Sequence, residues 1–348
     1  MKILVSALET SSNIHLKELQ KHLDKDCELL GIFDKSLGNP RYDITQLAIM
    51  GFVDVFKKIP FFLKLKKEMV ELAKDVDKIL LMDSSGFNLP LAKSIRKKYP
   101  EKEIIYYILP QAWVWKKGRV QKLEQTCDKL CSILPFEKEI YTKKEIVSYV
   151  GHPLLDEIQC YKKELNNSNI IAFMPGSRKT EITNHMPIFR QLAKKITDKK
   201  LVLIIPEKFD ETYIKNTYGD LAPFTVSTNA HQTLQDAEFA FICSGTATLE
   251  AALIGTPFVL SYIAKSFDYF IGRKIIKMPY IGLANIFFEK MHKPIIHKEY
   301  LQEEVTADTL YKEYTQMDRT LFFNNSKLLR DYLQNGSSRN VANIIESN

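Results

Sequence analysis

Short runs rich in Ile, Leu, Val, Phe and Tyr recur along the chain, separated by polar stretches long enough to be helices. In the first half they are KILVSAL (2–8), ELLGIF (28–33), KILLMD (78–83), EIIYYIL (103–109) and LCSILPF (130–136). A polar, Asn-rich stretch, CYKKELNNSN (160–169), reads as a linker. The pattern then restarts with NIIAFMP (169–175), KLVLIIP (200–206), FTVST (224–228), EFAFICS (238–244) and PFVLSYI (257–263). Continuous apolar runs, rather than alternating ones, mark strands buried on both faces of a parallel sheet. The pattern predicts an α/β chain of two doubly wound units in series, with a mostly helical tail from Asp308 that is broken at NGSS (335–338).

The length of 348 residues suits two domains, each able to bury a core. Lys and Arg number 49 against 42 Asp and Glu, a net charge of +7, which favours phosphates, nucleotides or anionic headgroups as partners. The five cysteines are scattered and read as free thiols; Cys127 and Cys131 have no matching His or Cys pair for zinc. MKILVSAL is too short an apolar run for a signal peptide and predicts a first strand. No apolar run approaches the ~18 residues of a membrane span.

In open parallel sheets, ligands sit beyond the carboxyl ends of the strands, where helix N-termini present unpaired N–H groups. MPGSRKTEI (174–182) falls at such an end: Pro175 and Gly176 make a tight exit, Ser177 exposes amides, and Arg178 can fork onto a phosphate. The plainer reading is a Gly turn with a surface arginine. The motif is not a Walker A loop, and no GxGxxG dinucleotide loop occurs anywhere. CSGTATLEA (243–251) repeats the arrangement, with Ser244, Gly245 and Thr246 at a helix start and Glu250 one turn in. A capping box needs the acid three residues after the cap, and from Thr246 it is four, so a carboxylate bound to ribose hydroxyls fits better. LPQAWVWKKGRV (109–120) carries both tryptophans, Trp113 and Trp115, which suit either core packing or one wall of a cleft. In the segment 47–73, Phe52, Phe56, Phe61 and Phe62 lie among Lys57, Lys58, Lys64, Lys66 and Lys67. This mixture fits an anionic membrane or acyl chains, and equally an amphipathic core helix. Nucleic acid is not expected, since no recognition-helix or single-strand-binding pattern occurs. His152, in YVGHPLLDE (149–157), is either a ligand or base, or a hydrogen-bonded corner.

In order, LETSS, MGFVDV, LMDSSGFNLPLAK, YYILPQAWVWKKGRV, ILPFE, YVGHPLLD, MPGSRKTEI, ICSGTATLEA and YIGLANIF resemble the lipid-A-disaccharide synthases over about residues 3–290. The resemblance implies the GT-B architecture: an acceptor- and membrane-side domain at 1–160, a UDP-sugar domain at 161–324, and a helix at 325–348 returning to the first. It implies inverting transfer of 2,3-diacylglucosamine from its UDP donor to 2,3-diacylglucosamine 1-phosphate, giving the β-1,6 disaccharide phosphate and UDP. No cofactor or metal is implied, and the location is the cytoplasmic face of the inner membrane. Oligomeric state stays open. Gly176, Ser177, Arg178, Ser244, Gly245, Thr246, Glu250 and Asn285 are implied in donor binding, with Ser11 and Asn88 as further substrate contacts. Two rivals remain: another UDP-GlcNAc enzyme such as a peptidoglycan N-acetylglucosaminyltransferase or a 2-epimerase, and a catalytically silent paralogue.

The first half departs from the family pattern. Where the family reads Gly-Glu-Ala-Ser-Gly-Asp, this chain has Leu8, Glu9, Thr10, Ser11, Ser12 and Asn13. The second Asp of the family's Asp-x-Pro-Asp-Phe-Asn motif, considered there for the general base, is Gly86 here, while the first is kept as Asp83. Glycine accepts no proton, so Asp83 is the expected base, with Glu9 as second choice and Arg178 expected to meet the leaving group's charge.

Overall fold

The computed structural model describes residues 1–45, 59–113, 118–165, 168–243, 245–263 and 279–347. These form two compact units, Met1–Glu157 with Leu333–Asn348, and Ile158–Tyr332. The first contains β1 (Lys2–Ala7), α1 (Thr10–Gln20), β2 (Glu28–Phe33), β3 (Tyr42–Asp43), α2 (Ile59–Leu72), β4 (Lys78–Met82), α3 (Ser85–Lys98), β5 (Glu103–Tyr107), α4 (Gly118–Thr126), β6 (Lys129–Ser132), β7 (Val147–Tyr149) and α5 (Pro153–Glu157). Its sheet runs β3-β2-β1-β4-β5-β6-β7 with every pair parallel.

Successive strand residues point to opposite faces. Leu4, Ile79, Leu81, Ile104 and Tyr106 therefore enter a core with Leu65 and Met69 of α2 and Leu91 and Ile95 of α3. Ile3, Val5, Leu80, Met82, Ile105 and Tyr107 enter a second core with Leu16 and Leu19 of α1. Both faces are covered, which is why the strands read as unbroken apolar runs.

The second unit contains β8 (Ile170–Met174), α6 (Lys179–Ala193), β9 (Lys200–Ile204), α7 (Glu211–Tyr218), β10 (Thr225–Ser227), α8 (Ala230–Asp236), β11 (Phe239–Cys243), α9 (Thr246–Ile254), β12 (Phe258–Tyr262), α10 (Leu283–Lys290), β13 (Glu299–Leu301), α11 (Ala307–Gln316) and α12 (Arg319–Leu333). Its parallel sheet has the order β10-β9-β8-β11-β12-β13. The last helix, α13 (Ser337–Glu346), buries Val341, Ala342 and Ile345 against the first unit's core. Asp156 caps its start by accepting from the backbone N–H groups of Gly336 (2.6 Å) and Ser338 (2.8 Å).

The units divide between Glu157 and Ile158, three residues before the expected 160/161, and the backbone N–H of Lys162 donates to Ile254 within the second unit (2.8 Å). The returning segment starts at 333 rather than 325. Most of α12 belongs to the second unit, where Phe322 packs edge-on to Phe258 and Arg330 donates to the Leu253 carbonyl. The strands β3, β7 and β13, of two or three residues each, lie at sheet edges and leave no apolar run to detect. LCSILPF stops being a strand at Ser132, whose hydroxyl accepts from the Leu134 backbone (3.2 Å) and bonds Glu137 (2.6 Å). Among the described residues the cysteines are free, no cluster of His, Cys, Asp or Glu could hold a metal ion, and no helix is long and apolar enough to cross a membrane.

Gly31 in β2 has φ +118°, and a Cβ there would lie 2.2 Å from the Val5 carbonyl oxygen, the closest approach at any described glycine. Gly31→Ala is expected to cost at least ~3 kcal/mol, lowering the melting temperature by roughly 6–12 °C in calorimetry. Gly86→Ala, where a Cβ meets nothing within 4 Å, should be neutral or slightly stabilising.

Candidate active site

In the first unit, β1 and β4 are hydrogen-bonded neighbours with Ala7 opposite Met82, so Glu9 and Asp83 leave the sheet side by side at its carboxyl edge. The chain turns there through two consecutive left-handed residues, Asp83 (φ 49°) and Ser84 (φ 37°), a conformation that disfavours side chains with a Cβ. Asn88 holds the turn. Its buried amide donates to the carbonyls of Met82 (2.9 Å) and Asp83 (3.0 Å) and accepts from the Ser6 hydroxyl (2.7 Å). The Tyr106 hydroxyl also donates to the Asp83 carbonyl, and the Asp83 N–H donates to Tyr107 (3.1 Å). The backbone is thus tied on both sides while the Asp83 carboxylate stays half-buried.

Burial first, and then the negative charge of Glu9, push the Asp83 pKa up to about 6; the Ser84 N–H and His15 pull the other way. Glu9 is exposed and accepts a hydrogen bond from the Ser84 hydroxyl (3.0 Å). Asn13, one turn into α1, fixes this loop by donating to the carbonyls of Ala7 and Glu9 (both 2.8 Å) and accepting from the Asp34 N–H (2.7 Å). Ser11 lies exposed on the first turn of α1. Gly86 is exposed and open.

In the second unit, β8 and β11 are neighbours with Met174 opposite Ile242, so the two expected anion loops leave adjoining strand ends. Gly176 turns with φ +102°, and a Cβ there would strike Glu181 at 2.5–2.8 Å. That closeness lets Glu181 fold back over the loop. One carboxylate oxygen accepts from the N–H groups of Ser177 (3.1 Å) and Arg178 (3.2 Å), and the other from the Arg178 guanidinium (3.0 Å). The amides expected to face a phosphate therefore already hold an anion of the protein's own. The Arg178 side chain is 77% exposed.

At the neighbouring end, Ser244 lies outside the described residues. Gly245 (φ +131°) starts α9, with Thr246 at its first position. Glu250, half-buried one turn along, stands 3.8 Å from the His231 ring of α8. Asn285 is buried with its amide fully used: it donates to His297 (2.9 Å) and Glu299 (2.8 Å) and accepts from Ile296 (3.0 Å) and His297 (3.3 Å). In this structure it braces the YIGLANIF corner.

Phe61 and Phe62 on α2 are partly buried in an aromatic chain from Tyr42 to Phe87, while Leu63 is 56% exposed. Phe52, Phe56, Lys57 and Lys58 lie outside the described residues, as do Trp115, Lys116 and Lys117. Trp113 packs edge-on to Phe136 at 5.1 Å. His152 is a buried corner whose Nδ1 accepts from the Leu154 N–H (3.3 Å), and burial drives its pKa down to about 3. Glu137, in the ILPFE motif five residues beyond β6, is buried, and burial pushes its pKa up to about 8. Glu299 was not singled out by sequence; it accepts from the N–H groups of Ile281 (2.8 Å) and Gly282 (3.0 Å) at the start of α10.

Comparison with solved structures places the fold among known ones. A complex of S. aureus MnaA with UDP superposes with a TM-score of 0.63 at 13% identity, over 99% of this chain and 95% of that one. The UDP-GlcNAc 2-epimerase of Neisseria meningitidis gives 0.63 at 13% over the whole of both chains, and the calicheamicin glycosyltransferase CalG4 gives 0.59 at 11% over 99% and 97%. At these identities the likeness establishes a GT-B fold and nothing finer. In sequence, the lipid-A-disaccharide synthase of Helicobacter pylori (strain HPAG1) is 50% identical over 353 residues, covering 98% of this chain and 97% of that protein. That of Campylobacter jejuni (serotype O:2, strain ATCC 700819 / NCTC 11168) is 43% identical over 366 residues, covering 98% of both. The family model described as lipid-A-disaccharide synthetase matches residues 3–343, a span that includes both pairs of strand ends. This chain is therefore a glycosyltransferase belonging to the lipid-A-disaccharide synthase family.

Proposed function

We propose that this chain transfers 2,3-diacylglucosamine from UDP to the 6-hydroxyl of 2,3-diacylglucosamine 1-phosphate, with inversion, releasing UDP. The observation that carries the assignment of roles is the half-buried Asp83 carboxylate, held at a strand end beside Glu9 with its pKa near 6. A general base is most effective when its pKa approaches the working pH, since it is then both ionised and basic. Asp83 takes the acceptor hydroxyl proton as that oxygen attacks the donor's anomeric carbon. The bond to UDP breaks with its electron pair on the diphosphate. Arg178 and the N-terminal amides of α9 meet that charge, and Glu250 receives the ribose hydroxyls.

The test is to incubate the purified protein with both acylated sugars in detergent and look for the disaccharide phosphate by mass spectrometry. UDP-GlcNAc consumed without any acylated sugar would overturn the assignment in favour of an epimerase-type reaction. UDP binding without product would favour a silent paralogue.

Asp83→Asn is expected to lower turnover by 10²-fold or more; turnover within about threefold of wild type would remove Asp83 from the role. The same substitution should raise stability at pH 7.5. A carboxyl whose folded pKa stands near 6 against an ordinary 3.8 costs stability as pH rises through that window, roughly 1–3 kcal/mol in all.

The kcat/KM profile should fall tenfold per pH unit below about 6 and level off above it, because the ionised carboxylate is the active form. Glu9→Gln removes a like charge and should shift this acid limb to lower pH.

We also place the protein on the cytoplasmic face of the inner membrane, with α2 toward the lipid. Exposed Leu63 stands beside the exposed Lys64 and Lys67, an arrangement suited to an anionic interface. Sedimentation with vesicles should show binding that increases with anionic lipid and weakens in Leu63→Ser; equal binding to neutral vesicles would argue against it.

A further inference from the structure

A carboxylate of the protein's own sits where the donor's diphosphate is expected. Glu181, on the first turn of α6 and largely buried, takes the N–H groups of Ser177 (3.1 Å) and Arg178 (3.2 Å) on one oxygen and the Arg178 guanidinium (3.0 Å) on the other. These are the donors that such a strand-end loop offers to an anion. Charge-assisted N–H···O⁻ bonds usually run to about 2.7–2.9 Å. All three contacts are longer than that, so the carboxylate fills the site without gripping it.

The loop leaves room for this side chain and for its departure. Gly176 has φ +102°, and a Cβ there would come within 2.5 Å of the carboxylate and 2.8 Å of the Glu181 Cβ. The backbone of Glu181 is fixed independently of its side chain: its carbonyl meets Nδ1 of the buried His185 (2.8 Å), and buried Ile182 donates to the Arg178 carbonyl (3.0 Å). The carboxylate can therefore leave by rotation about its own side-chain bonds, with the helix in place. Arg178 projects into solvent, where it can follow an arriving anion.

We propose that Glu181 is a resident counter-anion of the donor loop: it holds the Ser177 and Arg178 amides and the guanidinium while no donor is bound, a nucleoside diphosphate displaces it, and on its return it competes with UDP and hastens product release. A filled loop is already ordered when the ligand arrives, which spares the ligand that ordering. The exchange lowers affinity, since each diphosphate must displace a like charge from the same donors. Transfer ends with UDP in this loop, so a competitor built into α6 limits inhibition by product. This inference rests on the reading of Arg178 as the group that meets the diphosphate.

The test is titration of the full chain with UDP by calorimetry and with uridine by ligand-observed NMR, in wild type, Glu181→Gln and Arg178→Gln. Glutamine keeps the length of the side chain and an oxygen for the loop amides but carries no charge. Glu181→Gln should bind UDP about tenfold more tightly and uridine as wild type does, and UDP should inhibit transfer at a correspondingly lower concentration. A residue that only caps the helix predicts the reverse, a weaker UDP complex together with a lower melting temperature. UDP affinity unchanged or reduced in Glu181→Gln, or a gain shared equally by uridine, overturns the proposal. Arg178→Gln should weaken UDP binding by about tenfold or more. If it does and Glu181→Gln brings no gain, the donor reading stands and the exchange alone falls; UDP affinity unmoved by Arg178→Gln removes this loop from the donor site, and the exchange with it.

Discussion

The buried amide of Asn88 ties together the carboxyl edge of the first sheet. Two successive left-handed residues cost on the order of 1–3 kcal/mol each, and the turn they make points the carbonyls of Met82 and Asp83 into the protein, where they need hydrogen-bond donors. Asn88 bonds both carbonyls and the hydroxyl of Ser6 on the neighbouring strand. Because it sits on α3, the helix, the turn and β1 hold one geometry together. Ser84 then reaches Glu9, and the Asp83 carboxylate is kept partly out of water. Its raised pKa follows from that placement, so the protonation of Asp83 depends on a side chain that is itself fully buried.

The second unit solves a different problem with a similar device. Helix starts at the carboxyl edge of a parallel sheet carry unpaired N–H groups and partial positive charge. Here two glutamates occupy such starts: Glu181 over the Gly176 turn and Glu299 at α10. The arginine of the first loop already has a carboxylate partner, so an anion binding there would exchange one partner for another rather than fill an empty cradle. The guanidinium remains the exposed element of that loop.

Much of this was legible in the sequence. Ten apolar runs gave ten strands, since strands covered on both faces require uninterrupted hydrophobicity; the exception is β10, which lies at its sheet edge and is largely exposed. Asp83 stood out as an acid at a strand end. The edge strands β3, β7 and β13 escaped because they are only two or three residues long and lie in mostly polar sequence, whereas the equally short β10 sits in the β-rich run FTVST. Glu181 escaped because a cap is normally sought in Ser, Thr, Asp or Asn, whereas here the acid folds back onto a loop that only a glycine leaves room for. Asn88 and Asn285 had the right chemistry for ligands, but spend it inside the fold.

Gly86 shows that a carboxylate one short step along from Asp83 would be sterically free, since a Cβ there meets nothing within 4 Å. What separates the two positions is water. An acid at the exposed position would keep an ordinary carboxylate pKa, staying ionised in mildly acidic surroundings while being roughly a hundredfold weaker as a base than one near 6. Position along this one turn thus trades proton-accepting strength against tolerance of acid, and of the two positions only the inner one carries a carboxylate in this chain.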